Sequence, residues 1–379
     1  KGVNWNPIRR GGKHPEDLDF RGFVGTDAKI MALGGINAVR TYEPVTDTEV
    51  LDALWEKGIF VLNTVYINGA DPIDVVVERI TAVMEHPAVL MWVVGNEWNY
   101  NGFYQNLKRE AARSLMRDVA RKVRSTDSTR PIATAYGSTP DAATVEFIGD
   151  DIDIWGLNHY TRFSFKHFFD DWAKLPTDKP MFLSEYGSDA FNSKESKPDE
   201  AKQAAETKSL TEEIVANSSQ FPGGVCAGGI IFEFADEWWK SGHPDVHDEA
   251  SPHQAFNEEW FGLVAYDGTQ RAAFRAYAEI AFPNCEPASA SSPGCGRTPV
   301  NATDGERLKA CGHFPSCSGK LGRCSLGPAE TVGSCIPDSE STAPRPKGTT
   351  AAGAAAAQVA GSGDGRSAFR GRVATTTRP

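Results

Sequence analysis

Eight short apolar runs, most of them followed by a helical pattern, recur between residues 2 and 282, and this rhythm narrows the fold more than any other feature. The runs occupy residues 2–7, 36–42, 59–66, 89–97, 131–136, 152–160, 180–185 and 228–234. They do not alternate apolar with polar, as expected of parallel strands covered on both faces. Amphipathic stretches lie between them. Residues 27–33 stop at Gly34-Gly35, and Thr46-Asp-Thr-Glu reads as a capping signature for the helix carrying Val50, Leu51, Leu54 and Trp55. Ala112, Leu115, Val119 and Val123 line one face of a longer helix. Only the fifth run has little helix after it. Strand alternating with helix through eight units predicts an α/β fold, a (β/α)8 TIM barrel. A doubly wound open sheet is the rival. It would carry a glycine-rich strand-to-helix turn, and no G-x-G-x-x-G follows any run.

The barrel is assigned to residues 1–283. Beyond it, a Ser/Ala/Pro linker leads into Cys285, Cys295, Cys311, Cys317, Cys324 and Cys335. Six cysteines in Pro/Ser/Gly-rich sequence read as a small disulfide-bonded module over 284–340, which favours an oxidising, extracellular setting. Zinc is the weaker alternative, because no CxxC pair is present. Residues 341–379 lack core-forming residues and are expected to be a disordered tail. The seventh cysteine, Cys226, sits in an apolar stretch and reads as a small buried hydrophobe. Sequons at Asn217 and Asn301 are compatible with a secreted or cell-wall location. Lys1, where a Met would begin a chain, points to an upstream piece.

The formal net charge of −11 opposes a polyanionic partner, so no nucleic acid is expected. No stretch approaches the ~20 apolar residues of a membrane span, and no membrane insertion is expected. A neutral ligand such as a sugar suits the charge.

In a TIM barrel the reactive rim is formed by the C-terminal strand ends. Read this way, the rim collects Trp5 and Asn6, Arg40 and Tyr42, Tyr66 and Asn68, Asn96 and Glu97, and Asn158 and Tyr160. Glu185, Trp238 and Trp239 complete it. Carboxylates, amides, phenols and indoles together make a carbohydrate site: polar groups meet hydroxyls and an aromatic plate meets the C–H face. The two glutamates at the ends of runs four and seven can divide glycosidic cleavage, one protonating the leaving oxygen and the other attacking the anomeric carbon. Asn96 can hold a sugar hydroxyl beside Glu97, and Arg40 is placed to keep Glu185 ionised. Asn158, Tyr42, Tyr160, Trp238 and Trp239 are further candidates for binding an oligo- or polysaccharide. Glu233, Asp236 and Glu237 form a third acidic cluster, read either as a sugar subsite or as a structural group with Glu233 paired to a barrel arginine. His243, His247 and His253 crowd the next loop with Asp245 and Asp248. A polar substrate-facing loop is favoured there over a metal site, and neither metal nor cofactor is expected.

Gly95-Asn96-Glu97 after a Trp-containing strand, with Ser184-Glu185-Tyr186-Gly187 after the seventh, resembles clan A glycoside hydrolases. That resemblance implies Glu97 as acid/base, Glu185 as nucleophile and Asn158-x-Tyr160 as the strand-six motif whose tyrosine bonds the nucleophile. His86-Pro87, Trp92 and Leu183–Gly187 look like family 2 enzymes, the β-galactosidase and β-glucuronidase relatives. Lys1-Gly-Val, Ala38-Val-Arg40-Thr-Tyr42 and the same Ser-Glu-Tyr-Gly are similar to family 72 β-1,3-glucanosyltransferases, although Asn96-Glu97-Trp98 departs from that family's Asn-Glu-Val. The expectation is a retaining glycosidase or transglycosylase for β-linked glycans, with β-1,3-glucan favoured. The alternatives are a family 2-like exo-β-glycosidase (galactoside, glucuronide or mannoside) and a non-catalytic carbohydrate-binding protein of the cell wall.

Overall fold

The structure, a computed structural model, describes residues 1–240, 247 and 257–282. The cysteine-rich segment and the tail expected beyond the barrel lie outside the described residues, as do His243, His253, Asp245 and Asp248.

Eight parallel strands close into a barrel. In chain order the elements are β1 (Gly2–Asn4), α1 (Phe20–Leu33), β2 (Ala38–Arg40), α2 (Thr48–Trp55), β3 (Phe60–Tyr66), α3 (Val75–Thr81) and β4 (Val89–Val94). Then come α4 (Trp98–Asn101), α5 (Arg109–Thr126), β5 (Ile132–Gly137), α6 (Ala142–Ile148), β6 (Ile154–Asn158), α7 (Phe168–Trp172) and β7 (Met181–Tyr186). A two-stranded antiparallel ribbon, β8 (Phe191–Asn192) with β9 (Lys197–Pro198), precedes α8 (Glu200–Ala216), β10 (Cys226–Ile231) and α9 (Ala272–Ala278). Around the barrel the order is β1-β10-β7-β6-β5-β4-β3-β2, so β10 is the eighth barrel strand. The predicted barrel is therefore present.

The unalternating strands are explained by two apolar layers. Ala38, Leu62, Met91, Val93, Ala133, Ala135, Ile154, Phe182 and Ile230 form one buried cluster, the lumen. Their strand neighbours, such as Val39, Val61, Trp92, Val94, Ile132, Trp155 and Leu183, join the larger cluster beneath the helices. Side chains alternate along each strand, so the lumen-facing series can be continued to the C-terminal ends. It runs Gly2 to Asn4, Ala38 to Arg40, Ile154 to Asn158, and Phe182 to Ser184. The floor of the rim is thus polar by the same parity that makes the lumen apolar.

One local reading is corrected. α2 is capped by Asp47, whose carboxylate accepts from Glu49 N at 3.0 Å; Thr46 is not the cap. The stretch after β4 does not pass directly into its outer helix. Residues 97–106 form a compact excursion, α4 followed by a single wide turn over Gly102–Asn106. Cys226 is buried, as expected, and is a free thiol.

Candidate active site

Glu185 is the penultimate residue of β7 and almost fully buried, yet three donors meet its carboxylate. Arg40 Nη1 lies 3.0 Å from Oε1, Tyr42 donates to the same oxygen at 2.6 Å, and Tyr160 donates to Oε2 at 2.7 Å. These side chains come from three strand ends, β2, β6 and β7. A slip in the β6–β7 register between Leu157 and Asn158 sets Asn158 opposite Glu185. The hydroxyls stay protonated: burial, and then the Glu185 charge, raise Tyr42 and Tyr160 well above an ordinary phenol. Charge-assisted bonds of this kind are short and strong, and they hold the carboxylate still.

Glu97 follows β4 and is bound differently. Among the described residues its one side-chain hydrogen bond is from Asn158 Nδ2 to Oε1, at 3.1 Å. Burial raises its pKa to about 7, and the neighbouring Glu185 charge adds to the effect. A carboxyl raised by burial can carry the proton for a leaving group beside a second carboxyl matched by a cation and two phenols. Glu97 has φ 48° and ψ 32°, a left-handed conformation uncommon outside glycine. The excursion that follows holds it there. Asn99 Nδ2 donates to Gly137 O at 2.9 Å and Gly137 N returns a bond to Asn99 Oδ1 at 2.8 Å. Gly95 and Gly137 permit the approach: a Cβ on Gly95 would lie 2.6 Å from the Trp98 ring, and one on Gly137 2.2 Å from the Tyr100 ring.

Asn96 and Asn158 join the two halves. Asn96 Oδ1 accepts from Arg40 Nη2 at 2.7 Å and from Asn158 Nδ2 at 3.2 Å, while Ser184 Oγ donates to Asn158 Oδ1 at 2.6 Å. The structure thus brings together Arg40, Tyr42, Asn96, Glu97, Asn158, Tyr160 and Glu185. Arg40 is fully buried, with Nη1 and Nη2 on Glu185, Asn96 and Asn4, so it lies behind the carboxylate and not on a substrate-facing surface. Replacing Arg40 with Met should leave Glu185 as an unmatched buried charge and lower stability by about 3–5 kcal/mol, read from denaturant melts. An unchanged melt would show the pair to be energetically idle.

Other rim expectations fall elsewhere. Trp5 is buried against α1, its indole donating to Asp27 at 2.8 Å, and Tyr66 is buried with its hydroxyl on Asp71 O. Trp238 stacks on His247 with ring centroids 5.0 Å apart and has the Arg10 guanidinium 4.7 Å over its ring; Trp239 stacks on His14 at 4.8 Å. Both are half-buried and share their faces with protein groups. The acidic cluster after β10 is largely structural. Arg271 pairs with Asp236, not with Glu233, and Glu237 is held by Asn6 at 2.8 Å and Lys240 at 3.0 Å. Glu233 is buried beside Glu237, and burial followed by that charge raises its carboxyl well above an ordinary glutamate. No group of three His, Cys, Asp or Glu arranged for a metal occurs among the described residues.

The sequence reading passed over Tyr100 and Tyr104, exposed aromatics on the excursion beside Glu97; Tyr104 hydrogen-bonds Asn96. It also passed over Phe232 and Phe261, which meet Tyr160 edge-on, and Lys240, whose ammonium lies 4.6 Å over the Phe232 ring. The signal available was an aromatic within a few residues of each strand end, and it is too common to single these out.

A closed eight-stranded barrel carrying a glutamate after its fourth strand, another on its seventh, and the Asn158/Tyr160 pair on its sixth is of the clan A glycoside hydrolase type. Within that clan it resembles family 2: residues 68–217 match the model for the "Glycosyl hydrolases family 2, TIM barrel domain". No curated protein matches the chain in sequence. Among solved structures, a family 2 β-galacturonidase from Eisenbergiella tayi bound to galacturonate is 19% identical, with TM-score 0.52, covering 72% of this chain and 51% of its own. A β-D-glucuronidase of Dictyoglomus thermophilum is 20% identical, with TM-score 0.53 and coverages of 74% and 50%. β-Glucuronidase 2 of Bacteroides uniformis, covalently bound to cyclophellitol-6-carboxylate aziridine, is 17% identical, with TM-score 0.56 and coverages of 73% and 34%. The chain spans about half or less of these proteins. At such identities the likeness is one of fold.

Proposed function

We propose that the chain is a retaining, family 2-like exo-β-glycosidase acting on a β-linked galactoside, glucuronide or mannoside, with Glu97 as acid/base and Glu185 as nucleophile. One observation carries this reading: a carboxylate matched by a cation and two phenols stands beside a carboxyl that burial keeps protonated near neutrality. In the first step Glu185 attacks the anomeric carbon as Glu97 gives its proton to the departing oxygen, leaving a glycosyl ester on Glu185. Oε2, with one donor against two on Oε1, is the freer oxygen for the attack. In the second step Glu97, now a carboxylate, takes a proton from water as that water displaces Glu185. Asn96 and Asn158 are proposed contacts for substrate hydroxyls. The six cysteines beyond the barrel support an extracellular setting.

A β-1,3-glucan substrate ranks second. The family 2 match and the uronidase neighbours favour the exo-glycosidase over a glucanosyltransferase. Assays on 4-nitrophenyl β-galactoside, β-glucuronide, β-galacturonide and β-mannoside, set against laminarin-type glucan, separate the two. Proton NMR of the first-formed anomer should show retention. Inverted product would overturn the mechanism, and binding without any product would favour a carbohydrate-binding protein.

A further inference from the structure

Beside the catalytic pair lies a cleft of about 420 Å³, and Tyr160 belongs to both. While its hydroxyl holds Glu185 Oε2, the residue also lines the cleft with Phe163, Ser188, Asp189, Lys202 and Glu206. Phe163 is 53% exposed, a large apolar ring facing water. Its loop is nonetheless anchored to α8: Ser209 Oγ donates to Phe163 O at 2.7 Å, and Phe165 N donates to Glu213 Oε2 at 3.0 Å. On the opposing side, Asp189 is matched by Lys202 at 3.3 Å and by Asn257 Nδ2 at 2.9 Å. Glu206 is only 2% exposed; Ser188 Oγ donates to its Oε2, and Oε1 has no hydrogen-bond partner among the described residues. Glu206 thus stands behind Ser188 in the cleft wall.

We propose that this cleft is a subsite for a second, uncharged sugar ring of a β-linked oligosaccharide. Phe163 lies under the ring's C–H face, and the ring's hydroxyls meet the polar lining of Ser188, Asp189 and Lys202. An anchored aromatic plate, polar groups beside it and a volume in the range of small-ligand sites are the three elements such recognition needs. The proposal rests on the glycosidase reading and deepens it, because the protein would then prefer oligosaccharides over simple aryl glycosides.

The test compares kcat/KM for a β-linked trisaccharide with kcat/KM for the 4-nitrophenyl monoglycoside of the same sugar. In Phe163→Ala, where an exposed ring is removed and folding is not at stake, this ratio should fall about ten-fold, the loss of one ring contact. A ratio unchanged in Phe163→Ala overturns the subsite. If the wild-type chain cleaves no glycoside, the glycosidase reading fails, and calorimetric titration with the trisaccharide decides the cleft by itself. Binding weakened by Phe163→Ala supports the subsite; binding that is absent or indifferent to the substitution overturns it.

Discussion

Replacing Glu185 with Gln is expected to cut kcat by about 10⁴-fold or more on every glycoside the chain cleaves, while affinity for intact substrate changes little. The amide has nearly the same shape, so Tyr160 can keep its acceptor and the rim its outline. What it lacks is a charged oxygen able to form the glycosyl ester, and without that ester double displacement has no first step. A second consequence follows from burial. Arg40 is fully enclosed, and Glu185 is its acid partner at 3.0 Å. Removing that charge leaves a desolvated guanidinium held only by neutral acceptors, so the variant should also melt earlier than wild type. Mass spectrometry supplies an independent reading. A slow 2-fluoro glycoside should leave one sugar on the wild-type peptide containing Glu185 and none on the variant's. Wild-type turnover in the Gln variant would remove Glu185 from the reaction.

The pairing of Glu97 with Glu185 was legible because strand ends in a barrel converge on one rim, so chain position is enough to bring together residues far apart in sequence. The same logic correctly gathered Arg40, Tyr42, Asn96, Asn158 and Tyr160. It failed where a residue's side of the strand mattered. Trp5 and Tyr66 stand at strand ends but join the outer layer against the helices; Trp5 follows the last lumen-facing residue, Asn4, and Tyr66 follows a register slip after Thr64 that the sequence does not mark. It failed again after β4. Four non-glycine residues, Glu97, Phe103, Tyr104 and Asn106, adopt positive φ within ten positions, and no local propensity announces such a path. That path is held by tertiary contacts, chiefly Asn99 against β5 and Trp98 against Thr134, which a single sequence does not display. The acidic run Glu233–Glu237 misled for a related reason. Its charges are matched by Asn6, Lys240 and Arg271, from separate parts of the chain.

Glu97→Gln should slow cleavage of substrates with poor leaving groups by roughly 10²–10⁴-fold, the usual worth of a positioned general acid, and have much less effect on glycosylation by activated aryl glycosides. The pH profile carries the sharper test. Burial, reinforced by the Glu185 charge, places Glu97 at about 7. The first step needs its protonated form, and that fraction declines as pH rises through this value. Wild-type kcat/KM should therefore fall on the alkaline side of about pH 7. The limb should vanish in Glu97→Gln, whose amide does not titrate. Electrostatics adds a check that needs no turnover. The Glu185 charge is one of the causes holding Glu97 up, so in Glu185→Gln the carboxyl of Glu97, followed by carbon-13 NMR, should titrate at lower pH than in wild type. Burial, the larger cause, persists in that variant, so the value should remain above that of an ordinary glutamate. An alkaline limb that survives in Glu97→Gln would assign the proton to another group. A Glu97 titration indifferent to Glu185 would mean the two carboxyls do not share a field, and the division of labour between them would fall.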